Sequence, residues 1–294
     1  MSLSQLVKRA SDKTKFEQLE SYYNFCREYL IFTLNGLQAV IVSRNETHYR
    51  FYQYKQNGHY NVTRPINSNI MITAEDFDAM LGSFKYALTH IREIRNPEDR
   101  ECLNRIIYTC QQAIGATLDA LPTGRSNTAR KINGDLFERF IRLIISEIGV
   151  TVRSGTVRLP VIIDDVTLFN MNYQHDLIIE KNGELSAIGS VKTSSKDRLD
   201  KIFMDKFLHN RLTSVDTPHI AVFLNDVQRK GKEPNYGVNA TFLPGHFKGY
   251  TIKLNPLDGV YYCDMRPNME TDEMLREHIR TLDCLLIEDI WQFQ

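Results

Sequence analysis

Three polar residues are expected to meet at one end of an otherwise apolar hairpin in the second half of the chain. Residues 175–180 and 185–192 are rich in strand-forming residues, and a Lys-Asn-Gly turn sequence separates them. If the turn centres on Gly183, Asp176 lies opposite Ser190, and Lys192 shares their side because it is two residues further on. A half-buried aspartate beside a lysine indicates a function, because unpaired charges are costly there.

Two further carboxylates lie on helices predicted to flank this hairpin. A helix is expected from Ser194 or Ser195 to about residue 212, and Asp205 lies three residues after Ile202, at the edge of its apolar stripe. Glu138 flanks Phe137 in the same way, on a helix expected to start near residue 133. Both acids could therefore reach the hairpin end.

Clustered carboxylates and a lysine suit phosphodiester hydrolysis. Mg²⁺ prefers hard oxygen ligands, typically one or two carboxylates with water and phosphate. The metal lowers the pKa of bound water and stabilises charge developing on phosphorus. A nearby lysine either orients the attacking water or withdraws its proton. The alternative for Asp176 and Lys192 is a surface salt bridge at a solvated hairpin end.

Residues 130–226 resemble the PD-(D/E)xK nuclease core. Asp176 matches its first acid and Ser190-Val191-Lys192 its second element, with serine where most members carry Asp or Glu. Restriction enzymes that read CCGG, CCNGG or CCWGG, the group of NgoMIV, EcoRII, PspGI and SsoII, share this feature and recover the acid from the following helix. Asp205 stands at that position, where those relatives usually have Glu. Asp164 and Asp165 are the alternatives for the first acid.

The resemblance also implies roles for other residues. Mg²⁺ would be held by Asp176 and Asp205, with Glu138 assisting either through these ligands or at a second metal. The Lys196-Asp197-Arg198 cluster matches the element that reads the CC:GG bases in this group. Lysine or arginine would donate to guanine O6 and N7, and Asp197 would accept from cytosine N4. The alternatives are an exposed helix carboxylate for Glu138 and a solvated first helical turn for residues 196–198.

The activity implied is that of a type II restriction endonuclease acting on double-stranded DNA with Mg²⁺. A palindromic site requires two symmetric active sites, so a homodimer or a tetramer is expected. A cognate DNA methyltransferase of the same restriction-modification system would act on the same site. Two alternatives stay open: a structure-specific repair or junction-resolving nuclease of the same core, and an inactive DNA-binding module, which Ser190 at the second acid position favours.

Further DNA contacts are predicted in the first half of the chain. Residues 49–60 read as a hairpin with an Asn57-Gly58 turn, and its basic and aromatic side chains could stack on or insert at bases. The candidates are Arg50 with Tyr49, Tyr52 or Tyr54; an ordinary amphipathic hairpin is the alternative. The polar residues 123–134 read as a loop in which Arg125, Arg130 and Lys131 touch phosphates or are merely solvated. His175, His209 and His219 show no metal-binding spacing, although His175 could line the site.

The element pattern predicts an α/β protein with a restriction-endonuclease-like mixed sheet flanked by helices. Residues 1–125 form a mainly helical subdomain for DNA contacts and dimerisation, and residues 126–294 the nuclease core with a C-terminal extension. Helices are expected over residues 14–42, with 37–43 as an alternative strand, and over 73–95 and 97–122. The further elements expected in the second half are, in chain order, strands at 150–155 and 156–163, a central strand at 219–226, strands at 249–255 and 259–264, and a helix at 270–280.

Composition places few limits on function. The 294 residues include 36 basic and 36 acidic ones, so net charge neither supports nor excludes DNA binding. The odd cysteine number, 5, without a CxxC pair, argues against a disulfide framework and a cysteine zinc site. No apolar run reaches about 18 residues and no secretory signal is evident, so no membrane contact and a cytoplasmic location in a bacterium or archaeon are expected.

Overall fold

The computed structural model describes residues 1–56, 58–122 and 124–294. Two compact units form: residues 1–144 with 227–240, and residues 145–226 with 241–294. The predicted division of roles at residue 125, with DNA contacts and dimerisation before it and the nuclease core after it, stays a prediction. The helices are α1 (Leu3–Ser11), α2 (Leu19–Gly36), α3 (Phe77–Thr89), α4 (Pro97–Leu118), α5 (Ser126–Glu147), α6 (Leu199–Thr213), α7 (Pro244–Lys253), α8 (Pro267–Thr271), α9 (Glu273–His278) and α10 (Leu282–Ile287). The strands are β1 (Ala39–Val42), β2 (Tyr49–Gln56), β3 (His59–Val62), β4 (Ile66–Asn67), β5 (Val152–Ile163), β6 (Val166–Lys181), β7 (Glu184–Lys192), β8 (His219–Phe223), β9 (Val227–Lys230), β10 (Gly237–Ala240), β11 (Gly259–Tyr262) and β12 (Ile279–Thr281).

Helix α4 is the central helix of the first unit, and α1, α2 and α3 all contact it. Asn96 caps its start by accepting the Asp99 N–H at 2.7 Å, and Pro97 occupies the first turn, where no N–H is required. Residues 106–118 are buried without interruption. The predicted helix between Pro97 and Pro122 is confirmed.

A small antiparallel sheet completes the first unit. Strand β2 pairs with β1, β3 and β4, so the hairpin predicted at residues 49–60 is confirmed, as is the alternative strand at 37–43. Of its predicted turn, Asn57 lies outside the described residues, and Gly58 adopts a φ of 80° that favours glycine. The β9–β10 hairpin adds Val227 and Val238 to the apolar cluster around β2.

The second unit is built on a six-stranded sheet in the order β12-β11-β8-β7-β6-β5. Strands β5, β6 and β7 form an antiparallel meander, whereas β7, β8, β11 and β12 are parallel. Every residue of β8 is buried, which confirms the predicted central strand. Side chains of α6 and α7, such as Phe203 and Phe247, pack against Phe223 and Tyr262 of the sheet.

The predicted loop at residues 123–134 is wrong for most of its length, because α5 begins at Ser126. The polar residues of this segment lie mainly on the solvent side of a helix. Asn133 is the exception: its side chain is buried and accepts a hydrogen bond from Gln111 at 2.9 Å. A buried hydrogen-bond partner therefore replaces water, and the helix continues through Gly134. Thr123 lies outside the described residues.

Two predictions near the C-terminal end are also wrong. Residues 249–255 read as a strand, yet they belong largely to α7, which starts at Pro244 and buries Phe247 and Thr251, four residues apart, on one face. The single helix expected at 270–280 is split, because the Asp272 side chain accepts the Leu275 N–H and starts a new helix there. Strand β12 follows and pairs with β11.

Candidate active site

A β-bulge sets the register of the hairpin that carries Asp176. The turn has two residues, Asn182 and Gly183, and the first pair is Lys181 with Glu184. Continued without interruption, this register would place Asp176 opposite Gly189. A bulge between Ile179 and Glu180, with Ser186 as the extra residue on β7, shifts the pairing by one residue, so that Leu177 pairs with Gly189 and the next position along aligns Asp176 with Ser190. The predicted facing pair is confirmed, although by a bulge and not by the turn.

The Asp176 carboxylate and the Lys192 ammonium form a direct ion pair. Asp176 Oδ2 accepts from Lys192 Nζ at 2.5 Å and from the Val191 N–H at 2.8 Å. The side chains retain only 13% and 28% of their exposure, so the pair is partly withdrawn from water. Ser190 is half-buried beside them on β7. The shielding makes the pair stronger and more sharply oriented than an exposed surface salt bridge.

Helix α6 begins later than predicted, and its start is not capped by serine. Arg198 occupies the N-cap position without a side-chain cap bond, and Asp197 has a φ of 52°, which interrupts the helical backbone. The hydroxyls of Ser194 and Ser195 lie 3.3 and 3.1 Å from the Thr241 hydroxyl. The helix start predicted at Ser194 or Ser195 is therefore wrong, and residues 196–198 form an exposed turn before the helix.

Thr241 holds this turn against the end of β8. Its hydroxyl donates to the Asp226 carbonyl at 2.8 Å, so both serine hydroxyls must donate to it. Ser194 in turn accepts the Lys196 N–H at 3.2 Å. A directed chain of hydrogen bonds thus links the turn to the strand. Sequence reasoning missed Thr241, because it is more than forty residues away in the chain and carries no motif.

Asp205 lies on α6, in the neighbourhood of Asp176. Its side chain is 18% exposed and pairs with Lys201 at 2.6 Å. Burial lowers the pKa of His175 to about 4, while the negative charges of Asp205 and Asp176 act in the opposite direction. Both carboxylates are thus close enough to His175 to act on its charge. The structure brings Asp176, Lys192 and Asp205 into one region of the second unit.

Three histidines link the helix of Asp205 to the sheet of Asp176. His219 is 5.3 Å from His209 of α6 and 6.1 Å from His175 of β6, measured between ring centroids. All three are buried, and burial lowers the pKa of His219 to about 3. They therefore stay neutral and pack α6 against β6 and β8. The spacing of these histidines along the chain does not predict the cluster.

The donor chemistry fits Mg²⁺ with a small number of protein ligands. Among the described residues, no group of at least three His, Cys, Asp or Glu side chains is placed to hold a metal ion. Mg²⁺ does not require such a cage, because it usually keeps several waters and binds one or two carboxylates with phosphate oxygens. Asp176 and Asp205 supply two hard carboxylates. Because the buried histidines are neutral, they add no positive charge that would repel Mg²⁺.

The remaining predicted residues differ in accessibility. Tyr49 is fully buried with Phe51, and Tyr54 is buried with its hydroxyl 2.8 Å from that of Tyr29, so neither ring is free to stack on a base in this conformation. Arg50 and Tyr52 are half-buried. Arg125, Arg130 and Lys131 are all exposed, the latter two on α5 and not in a loop.

The alternative first acids lie far from Lys192. Asp164 and Asp165 form the exposed turn between β5 and β6, eleven or more residues from Asp176 along an extended strand, or roughly 35 Å. They are therefore remote from the Asp176–Lys192 pair, and the identity of the first acid stays a prediction. Glu138 is half-buried on α5 in the first unit, and its role stays a prediction.

Comparisons with known proteins identify the fold. No family model matches the chain, and no curated protein matches it in sequence. The structure is similar to the crystal structure of the type IIP restriction endonuclease Kpn2I, with a TM-score of 0.73, 17% identity, and coverage of 99% of this chain and 97% of that one. A complex of the restriction endonuclease PspGI with substrate DNA gives a TM-score of 0.41 at 11% identity, over 74% of this chain and 91% of that one.

Among the described helices, none combines the length and apolar character needed to cross a membrane. The predicted fold class is confirmed: a mixed β-sheet flanked by helices, with the architecture of a restriction endonuclease.

Proposed function

We propose that this protein is a type II restriction endonuclease that hydrolyses double-stranded DNA at a short palindromic site with CC and GG halves. The observation that carries the proposal is the shielded Asp176–Lys192 pair on the interior strands β6 and β7 of a restriction-endonuclease-like sheet. A surface ion pair would need no bulge to align it and no second carboxylate nearby. The protein is further proposed to act as a homodimer or tetramer in the cytoplasm, with a cognate methyltransferase protecting its site.

The proposed mechanism assigns separate tasks to the acids and the lysine. Asp176 and Asp205 would hold Mg²⁺, which when bound supplies charge stabilisation at phosphorus and a more acidic water. Lys192, fixed 2.5 Å from Asp176, orients the attacking water and stabilises negative charge on the scissile phosphate. Glu138 would assist by orienting these ligands or at a second metal. Ser190 occupies the strand position at which most PD-(D/E)xK nucleases carry the second acid, and Asp205 on the helix is proposed to replace that acid.

Residues 196–198 are proposed to read bases. All three residues are exposed on a turn that Thr241 fixes, which places their donors and acceptor at the surface, where a major groove could reach them. The positive φ of Asp197 shapes the turn in a way that a helical first turn would not. The exposed basic residues Arg125, Arg130 and Lys131 are proposed to contact DNA phosphates, and Arg50 with Tyr52 to stack on or insert at bases.

The test is digestion of plasmid DNA with Mg²⁺, followed by sequencing of the cut ends. Discrete fragments with one shared end sequence are expected, and Lys192→Ala should reduce the rate by about 10² to 10⁴-fold, the usual contribution of a positioned proton-transfer group. Lys181→Ala is the matched control, because Lys181 lies at the opposite end of the same hairpin and its ammonium donates to the Gln294 carbonyl.

Other outcomes point to the alternative functions. Cutting confined to branched or damaged DNA would indicate a structure-specific nuclease of the same fold. DNA binding without cutting, unchanged by Lys192→Ala, would indicate an inactive binding module, which the serine at position 190 favours.

A further inference from the structure

The β9–β10 hairpin, residues 227–240, carries an excess of positive charge. It contains Arg229, Lys230 and Lys232 but only one acid, Glu233, whereas basic and acidic residues are equal in number over the whole chain. All four charged residues are exposed, and none of them forms an ion pair with any residue that the structure describes. The three cations are therefore left to solvent or to a ligand of opposite charge.

The face of the hairpin that carries Lys230 gains a second cation from a neighbouring segment. Lys230 pairs with Gly237 across the hairpin, so a side chain at position 237 would share its face. Glycine leaves that space open, and Cγ of Arg44 lies 3.6 Å from where a Cβ on Gly237 would stand. The exposed Arg44 therefore crosses the hairpin beside Lys230. With Lys232, two residues further along, they form a basic cluster, defined here as Arg44, Lys230 and Lys232.

Two sets of contacts fix the backbone that carries the basic cluster. The Asn45 amide pairs with Val238 as a strand would: its Oδ1 accepts the Val238 N–H and its Nδ2 donates to the Val238 carbonyl, both at 2.9 Å. On β9, the Arg229 guanidinium donates to the Val62 carbonyl at 2.6 Å and lies 5.5 Å from the centre of the Tyr236 ring. A preorganised backbone lowers the entropy cost of binding an anion.

Like charges held side by side also favour an anionic ligand. Adjacent cations on one face of a hairpin repel each other, and an anion between them removes that repulsion. The tip, residues 229–235, contains no large apolar side chain that could enter a bilayer, which favours a nucleic acid over a membrane. Phosphates along a DNA strand supply the closely spaced negative charges that such a cluster suits.

The chain ties this hairpin directly to the turn proposed to read bases. The hairpin begins after Asp226 and ends before Thr241, and the Thr241 hydroxyl, which holds the turn of residues 196–198, donates to the Asp226 carbonyl at 2.8 Å. Lys230 is four residues from Asp226, so chain length alone limits the distance between their Cα atoms to about 14 Å. Phosphates follow one another about every 3.4 Å along a strand, so this distance spans about four nucleotides.

We propose that the basic cluster binds phosphates of the DNA strand next to the bases contacted by residues 196–198. The inference rests on the proposed function for the identity of the partner, and it assigns DNA binding to a hairpin outside the residues already proposed to contact DNA. Phosphate contacts carry no sequence information themselves. The cluster therefore adds affinity and fixes the position of the duplex, whereas the choice of sequence stays with the turn.

The experiment measures fluorescence anisotropy of a short labelled duplex of mixed sequence, without Mg²⁺, over a series of salt concentrations. Lys230→Ala/Lys232→Ala removes two phosphate contacts, so the slope of log affinity against log salt should become shallower by about 1.8, and the affinity should fall by about tenfold or more at low salt. Lys230→Arg/Lys232→Arg keeps both charges and should keep the wild-type slope. Circular dichroism melting checks that both variants fold.

Lys8→Ala/Lys15→Ala is the matched control, because it removes two exposed lysines from the same unit and changes the net charge equally. Its slope should equal that of the wild type. An equal change in the control and in Lys230→Ala/Lys232→Ala would show that net charge alone is responsible, and would overturn the proposal.

Two further results would also overturn it. The first is a wild-type affinity and salt slope in Lys230→Ala/Lys232→Ala. The second is wild-type binding to vesicles of anionic lipid that depends on the two lysines while DNA binding does not, which would make the cluster a lipid contact. Failure of the proposed function is distinguishable from both: DNA binding that needs the cluster, by a protein that never cuts plasmid with Mg²⁺, would overturn the proposed activity alone.

Discussion

Asp205 is the residue on which the proposed metal site depends most, and Asp205→Ala separates a catalytic role from a structural one. Its ion pair with Lys201 spans one helical turn, and the lysine is 68% exposed, so the pair stabilises the fold by about 0.5 kcal/mol at most. The higher helix propensity of alanine offsets this loss, because alanine stabilises a helix relative to aspartate by up to about 0.7 kcal/mol. The melting temperature should therefore change little.

Loss of activity should be much larger than this change in stability. A carboxylate that holds the metal contributes several kcal/mol of charge stabilisation, and each 1.36 kcal/mol corresponds to a tenfold change in rate, so we expect a loss of about 100-fold or more. The assay is single-turnover cleavage of supercoiled plasmid across a Mg²⁺ titration. Asp205→Glu should retain part of the activity at higher Mg²⁺, whereas the neutral Asp205→Asn should resemble alanine.

Asp200→Ala is the matched control for this experiment. Asp200 is an exposed acid in the first turn of the same helix, and its removal changes helix charge without touching the proposed site. If Asp205→Ala cuts within about threefold of the wild type at every Mg²⁺ concentration, far short of the effect expected for a lost ligand, the helix acid is not part of the metal site.

Three further predictions follow from the same geometry. Thr241→Val should give extra plasmid fragments at secondary sites because the turn of residues 196–198, which is proposed to read bases, loses its anchor, whereas Thr241→Ser should keep the wild-type pattern; an unchanged Thr241→Val pattern would contradict the anchoring role. Because burial holds the pKa of His219 at about 3, below about 6.5 in the unfolded chain, the unfolded state binds more protons and stability falls as pH drops through that window, by up to about 1.4 kcal/mol per pH unit. Urea midpoints at pH 7 and pH 5 should therefore differ less in His219→Gln, and equal differences would refute the assignment. A Cβ on Gly189 would lie 2.8 Å from Ile220 Cγ1, so Gly189→Ala should cost about 1–3 kcal/mol, whereas Gly134→Ala, with open space on α5, should stabilise by about 0.5–1 kcal/mol; thermal melts of both variants test the pair.

Local sequence patterns predict the helices and strands that have a clear hydrophobic pattern and residues typical of an element's start or end. Helix α4 is bounded by Asn96 and Pro97 at its start, and the nearly all-apolar β8 reads as a central strand from composition alone. The residue types of the site were readable in the same way, because an acid, a serine and a lysine stand out in two apolar strands. The class of fold follows from the order of these elements.

Only the tertiary structure decided how the site residues align. The register that places Asp176 beside Lys192 depends on the bulge at Ser186, whose hydroxyl donates to the carbonyl of Phe293 near the other end of the sequence. The start of α6 depends on Thr241, which takes the serine hydroxyls that would otherwise cap the helix. Both features arise from hydrogen bonds between residues far apart in the chain, and no local pattern contains that information. The sequence therefore determined which groups could do the chemistry, and long-range hydrogen bonding decided which of them face one another.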